Sequence, residues 1–154
     1  MNANLPYYIW LFANRLYLAH VPVFPFVIQQ ILRFGFCCFI PYSTRIGRNV
    51  HFGHLGMGIV IHKEAIIGND VRIDQHVTIG GRVGPGAPVI GNNVRIGAGA
   101  KVLGSLRIGD HAQIGANAVV LKDVPDGATA VGVPARIVQK RNGPSRRFAG
   151  NLRP

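Results

Sequence analysis

The chain has 154 residues, 48% hydrophobic and 15% charged, with a formal net charge of +11. That length and apolarity suit one domain with a real core and exclude a disordered chain. The positive charge favours anionic partners. Lysine and arginine are spread along the sequence rather than interleaved with aromatics on one element. Nucleic acid is therefore not expected, and small phosphorylated ligands or anionic membrane are.

Residues 1–42 differ in kind from the rest. Tyr7 to Ala19 is aromatic and apolar at helical spacing, Pro22 and Pro25 interrupt, and Phe26 to Ile40 is a second apolar stretch. Pro41 is expected to end it, because proline cannot continue a helix. Neither stretch is a clean run of about twenty apolar residues, so a spanning helix is not expected. No cleavable signal is evident. Two roles remain open: capping the structure that follows and helping it oligomerise, or lying in a membrane interface. Cys37 and Cys38 are adjacent. Neighbours make a poor disulfide and show no metal spacing, which favours a reducing compartment. The expected location is cytoplasmic, at the inner face of the membrane if residues 1–42 touch lipid.

From residue 43 the pattern changes. Ile90, Ile96, Val102, Ile108, Ile114 and Val120 stand six residues apart. A second apolar residue follows four later: Val94, Ala100, Leu106, Ala112, Ala118. Period six fits neither an α-helix nor a meander. It fits a hexapeptide β-helix, in which each hexad forms one flat side of a triangular coil and three make a turn. The anchors point inward and stack eighteen residues apart, so Ile90 pairs with Ile108, Ile96 with Ile114 and Val102 with Val120. Glycine and asparagine suit the corners, where positive φ is needed.

The repeat begins near Ile46, slips around His51 to Gly58, and resumes at Ile61, Ile67, Ile73 and Ile79. Residues 80–89, rich in glycine and proline, must then leave the coil as a loop, a common place for function. After Val120 the repeat fades. The expected division is a helical apolar segment 1–42, a left-handed β-helix 43–138 and a basic tail 139–154.

Several segments resemble the hexapeptide acyltransferases, most closely their serine O-acetyltransferase-like branch. They are Gly58-Ile-Val-Ile61, Val77-Thr-Ile-Gly-Gly81, Ile96-Gly-Ala-Gly-Ala-Lys-Val-Leu-Gly104, Ile114-Gly-Ala-Asn-Ala-Val-Val120 and Gly132-Val-Pro-Ala-Arg-Ile-Val138. The resemblance covers about three fifths of the chain. It implies a left-handed parallel β-helix, a homotrimer with active sites between subunits, acetyl-CoA as donor and a hydroxyl as acceptor. Closed cyclic symmetry suits a flat-sided prism.

Acyl transfer to a hydroxyl needs a base, an oxyanion donor and a groove for the thioester. Histidine titrates near neutrality and suits the base. His54 lies where the repeat slips, shortly before the Gly-Ile-Val stretch, as the catalytic histidine of the resembled family does. It serves only if this loop is one residue longer than the family's. His76 and His62 are the fallback bases. Asp74 is the most plausible acid to orient the ring, and a backbone carbonyl is the alternative. The resemblance aligns the Gly81 amide with the position lining the thioester, where an oxyanion donor contributes a few kcal/mol. It aligns Ala98 and Ala116 with small residues along the pantetheine. Arg136 and Lys101 are expected to face the CoA phosphates. No metal is expected.

The acceptor divides the branch. The serine enzymes carry an arginine-histidine pair before the proline matching Pro88; here those positions are Gly86 and Ala87. Their aspartate before the catalytic histidine is also missing. Arg82 could replace one of these ligands. The short apolar N-terminus instead resembles the acetyltransferases of polysaccharide biosynthesis, so a sugar acceptor is expected, with genuine serine acetylation as the alternative. Two further classes stay open. One is a γ-type carbonic anhydrase, whose histidine pair five positions apart is absent here. The other is a non-catalytic trimeric scaffold.

Overall fold

The computed structural model describes residues 4–82 and 84–138. The expected basic tail lies outside them. The chain forms a left-handed parallel β-helix preceded by two helices. Strands of two or three residues stack into three sides. The first side holds β1 (Arg45–Ile46), β4 (Ile66–Ile67), β7 (Val89–Ile90) and β10 (Arg107–Ile108). The second holds β2 (His51–Phe52), β5 (Arg72–Ile73), β8 (Arg95–Ile96), β11 (Gln113–Ile114), β13 (Thr129–Val131) and β14 (Arg136–Val138). The third holds β3 (Val60–Ile61), β6 (Thr78–Gly80), β9 (Lys101–Leu103) and β12 (Val119–Val120).

The anchors pair as their spacing requires: Ile90 with Ile108, Ile96 with Ile114, Val102 with Val120. Each is buried, with Ile73, Ile79, Ile96 and Val102 fully so. Burying each such side chain stabilises the fold by about 1.5–3 kcal/mol. The first corner, between the first and second sides, is closed by a side-chain ladder. The Oδ1 atoms of Asn69, Asn92, Asp110 and Asp126 accept the backbone N–H of Arg48, Asn69, Asn92 and Asp110 at 2.6–2.9 Å.

The coil departs from regularity in three places. β2 pairs normally with β5, and the slip begins only after Phe52, in the short 3-10 turn Gly53–Gly56. The excursion after β6 leaves the third corner, between the third and first sides. After Val120 the coil continues rather than fading: Val124 bridges Ile108, and Ala130 pairs with Ile114. β14 then turns back antiparallel on β13.

Helix α1 (Leu5–Leu18) lies across the first turn of the coil. Its Tyr7 and Trp10 join the core. Asn4 donates to Val50 O at 2.9 Å and accepts from Phe52 N at 3.1 Å, while Trp10 Nε1 donates to Pro41 O at 3.0 Å. Helix α2 (Phe24–Gly35) stops before the expected Pro41. Cys37 takes a left-handed φ of 52°, and Phe39 already bridges Val60 on the third side. The outer face of α2 exposes Phe24, Val27, Ile31 and Phe34. Among the described residues no helix is long and apolar enough to cross a membrane.

Candidate active site

The second corner, between the second and third sides, collects most of the expected site residues. At each turn it begins one residue after a second-side anchor: Gly53 after Phe52, Asp74 after Ile73, Gly97 after Ile96, Gly115 after Ile114. Main-chain hydrogen bonds stitch the corner from turn to turn. His76 N donates to Met57 O, Gly99 N to Gln75 O, and Asn117 N to Ala98 O, each at 2.8–2.9 Å. His54, His76, Ala98, Lys101 and Ala116 therefore share one edge of the prism.

His54 stands at the first turn of that edge, exposed, with φ 49° and ψ 45°; Leu55 follows at φ 57°. Two successive non-glycine residues in the left-handed region cost about 1–2 kcal/mol each. Such strain persists where the surrounding structure holds it, and it clusters at functional sites. Among the described residues no hydrogen bond reaches the His54 ring. Asp74 does not orient it: its Oδ1 accepts from Arg72 Nε at 3.0 Å and fills the space beside Gly53. His76 is exposed and packs its ring against the Gly58 α-carbon. Lys101 Nζ is tied to the coil wall, donating to His76 O at 2.9 Å and Thr78 Oγ1 at 3.1 Å.

Arg136 opens β14, exposed, and pairs with Val131 at the far end of the same side. From β2 to β14 the second side runs through five strand spacings of about 4.8 Å, or about 24 Å. His54 and Arg136 thus mark opposite ends of the edge.

Gly81, Arg82 and His62 sit elsewhere, on the third corner. His62 Nε2 lies 3.8 Å from where a Cβ on Gly81 would stand. The Arg82 Cβ lies 3.6 Å from the corresponding point on Gly104, one turn along. The third side separates both loop residues from His54 within the chain. The eighteen-residue stacking that pairs Ile61 with Ile79 also brings His62 beside this loop. Among the described residues no three histidine, cysteine, aspartate or glutamate side chains converge as a metal site would need.

The coil has counterparts among known proteins. The bacterial transferase hexapeptide (six repeats) family matches residues 87–122. A serine acetyltransferase of Helicobacter pylori is 47% identical over 116 residues, covering 73% of this chain and 67% of the relative. The chain belongs to the hexapeptide transferase family. A second relative, the serine acetyltransferase of Synechococcus elongatus, is 41% identical over 131 residues, covering 83% of this chain and 53% of the relative. The chain thus spans about half to two thirds of the length of these curated relatives. Among solved structures, a serine acetyltransferase in complex with CoA superposes with a TM-score of 0.80 at 40% identity, covering 86% of this chain and 56% of that one. This hexapeptide transferase shares its fold with the solved structure over 86% of its own length.

Proposed function

We propose that the chain carries the acyl-transfer centre of an acetyl-CoA-dependent serine O-acetyltransferase. The observation that carries this reading is the second corner: one continuous edge with a strained histidine at one end and an exposed arginine at the other. Gly97-Ala-Gly-Ala100 and Gly115-Ala-Asn-Ala118 line the half of it nearer Arg136. The edge suits a long thioester whose acyl end reaches His54 and whose phosphates reach Arg136. Ala98 and Ala116 leave room for the pantetheine arm, and Lys101 adds charge beside it. His54 takes the acceptor hydroxyl's proton as it attacks the thioester carbonyl. The Gly81 amide faces the oxyanion.

A site combining His54 with Gly81 needs two chains, because the third side stands between them. This supports a cyclic homotrimer in which one protomer's loop meets its neighbour's His54 corner. Mixing His54→Ala chains with Gly81→Val chains should then recover turnover that neither shows alone. No recovery in refolded mixtures would argue for a site within one chain.

The relatives favour serine over the sugar acceptor expected from the sequence. The deciding assay is free-thiol release from acetyl-CoA with L-serine, set against a panel of sugars and nucleotide sugars. Turnover with a saccharide alone would overturn the serine reading.

The outer face of the helices supports a peripheral membrane contact. It is apolar, and residues 1–63 contain no acid but include Arg15, Arg33, Arg45, Arg48 and Lys63. Sedimentation with anionic but not zwitterionic vesicles is the expected result; Phe34→Glu should abolish it.

A further inference from the structure

The two helices are held in different ways. Helix α1 buries Tyr7, Trp10 and Ala13. Its side chains also tie it to the start of the coil: Tyr7 Oη donates to Gly47 O at 3.1 Å, and Asn14 Nδ2 to Tyr42 O at 2.7 Å. Helix α2 buries only Pro25 and Leu32. Among the described residues, the one α2 side chain hydrogen-bonded beyond the helix is Gln29, whose Oε1 accepts from Tyr42 N at 3.4 Å. That is longer than a good bond of this kind.

The ends of α2 are strained. Phe24 N donates to Pro22 O at 2.8 Å across Val23, which takes φ 69° and ψ −50°. This is the three-residue turn in its rare, strained hand, on a β-branched side chain that disfavours positive φ. His20 before the helix and Cys37 after it are also left-handed, at φ 57° and 52°. Between these turns α2 overhangs a groove of about 420 Å3 on the third side. Phe26 and Gln29 form one wall; Phe39, Val60, His62 and Gly80 form the other. The remaining tie is Arg33, whose guanidinium carbon lies 5.8 Å from the Phe39 ring centre and 5.9 Å from that of Phe34.

An anionic bilayer acts on these ties unequally. Lipid phosphates compete with the two rings for Arg33. Lifting α2 adds Phe26 and Leu32 to the apolar side chains it offers the interface. A surface that binds the lifted form more tightly shifts the population toward it.

We propose that α2 is a membrane-released flap: on an anionic bilayer it swings off the coil about Val23 and Cys37 while α1 stays seated, uncovering the third-side groove. This rests on the membrane contact proposed above and adds that the contact opens the protein. The groove ends at Gly80, next to Gly81 of the loop. Membrane binding and access to the loop are thereby coupled.

The chain carries its own reporters. Cys38 is 2% exposed beneath the last turn of α2, its backbone N–H donating to Leu32 O at 3.4 Å. Burial, with Cys37 beside it as a lesser cause, pushes its thiol pKa up to about 11, so it alkylates slowly. Trp10 on α1 is the single tryptophan. The full chain carrying Cys37→Ser is mixed with a maleimide and with vesicles of phosphatidylglycerol or phosphatidylcholine. A minor open state holds about 0.1–10% of the population, so phosphatidylglycerol should speed Cys38 labelling about ten- to a thousand-fold. Trp10 emission should not shift, and phosphatidylcholine should change neither signal. Arg33→Ala should speed labelling in buffer, and Phe34→Glu should remove the vesicle effect. Sedimentation with phosphatidylglycerol without labelling would overturn the flap and keep the membrane contact. Labelling with a red-shifted Trp10 would mean that both helices leave the coil, and would also overturn it. No sedimentation at all would overturn the membrane reading itself and the flap with it.

Discussion

The first and second corners of the coil grow from the same pattern, an inward anchor followed in most turns by glycine, and they use their polar groups in opposite ways. At the first corner the side chains of Asn69, Asn92, Asp110 and Asp126 turn back onto the main chain and satisfy the next turn. Both corners carry main-chain bonds from turn to turn; at the second these stand without the side-chain ladder, and the imidazoles of His54 and His76 stand exposed, as His111 does at the first. Only the second contains a turn in which two successive non-glycine residues are held left-handed. The difference teaches where to look in a repeat: chemistry is available where the polar side chains are not already committed to closing the fold.

The largest expected break in this comparison is His54→Ala. It should lower kcat by about 10²–10⁴-fold, the usual contribution of a general base, with calorimetric binding of CoA unchanged. Loss of CoA binding to the same degree would make the second corner structural, like the first. The mirror experiment is Asp110→Ala. It leaves the Asn92 N–H, now bonded at 2.6 Å, without its acceptor. Urea unfolding should show a loss of about 1–3 kcal/mol, while kcat per folded molecule holds. A fall in kcat without a shift in midpoint would mean that the first corner is not merely structural. The smallest effect belongs to the far end of the edge. Arg136→Ala should weaken CoA only a few-fold, since exposed ion pairs contribute about 0.2–1 kcal/mol. That difference should vanish at high salt and be absent for a pantetheine thioester lacking phosphates. Equal weakening of both ligands would remove the phosphate role.

The coil itself was legible because an anchor's phase in the hexad fixes both its direction and its partner eighteen residues on. The same phase put His54, His76, Ala98 and Ala116 on one edge, each lying one to three residues past a second-side anchor. Two features were not legible. Helix α2 ends at Gly35, where the chain must turn so that Phe39 can reach Val60; periodicity carries no trace of that long-range pairing. The turn after Val120 is two residues short, with Pro125 and Gly127 at its bend, so the repeat looks lost although Ala130 still stacks on Ile114.

The two ends of the prism carry a consequence for the protein's life in a crowded solution. A stack of parallel strands is an open template at either end, and in principle one coil could add to another without limit, as amyloid does. Here α1 lies across the first turn, with Asn4 occupying Val50 O and Phe52 N. At the opposite end β14 runs against the grain, so the last strand of the longest sheet offers the wrong direction to an incoming parallel strand. Both devices act as chain terminators against end-to-end polymerisation. Removing either should turn a discrete particle into a seed for filaments.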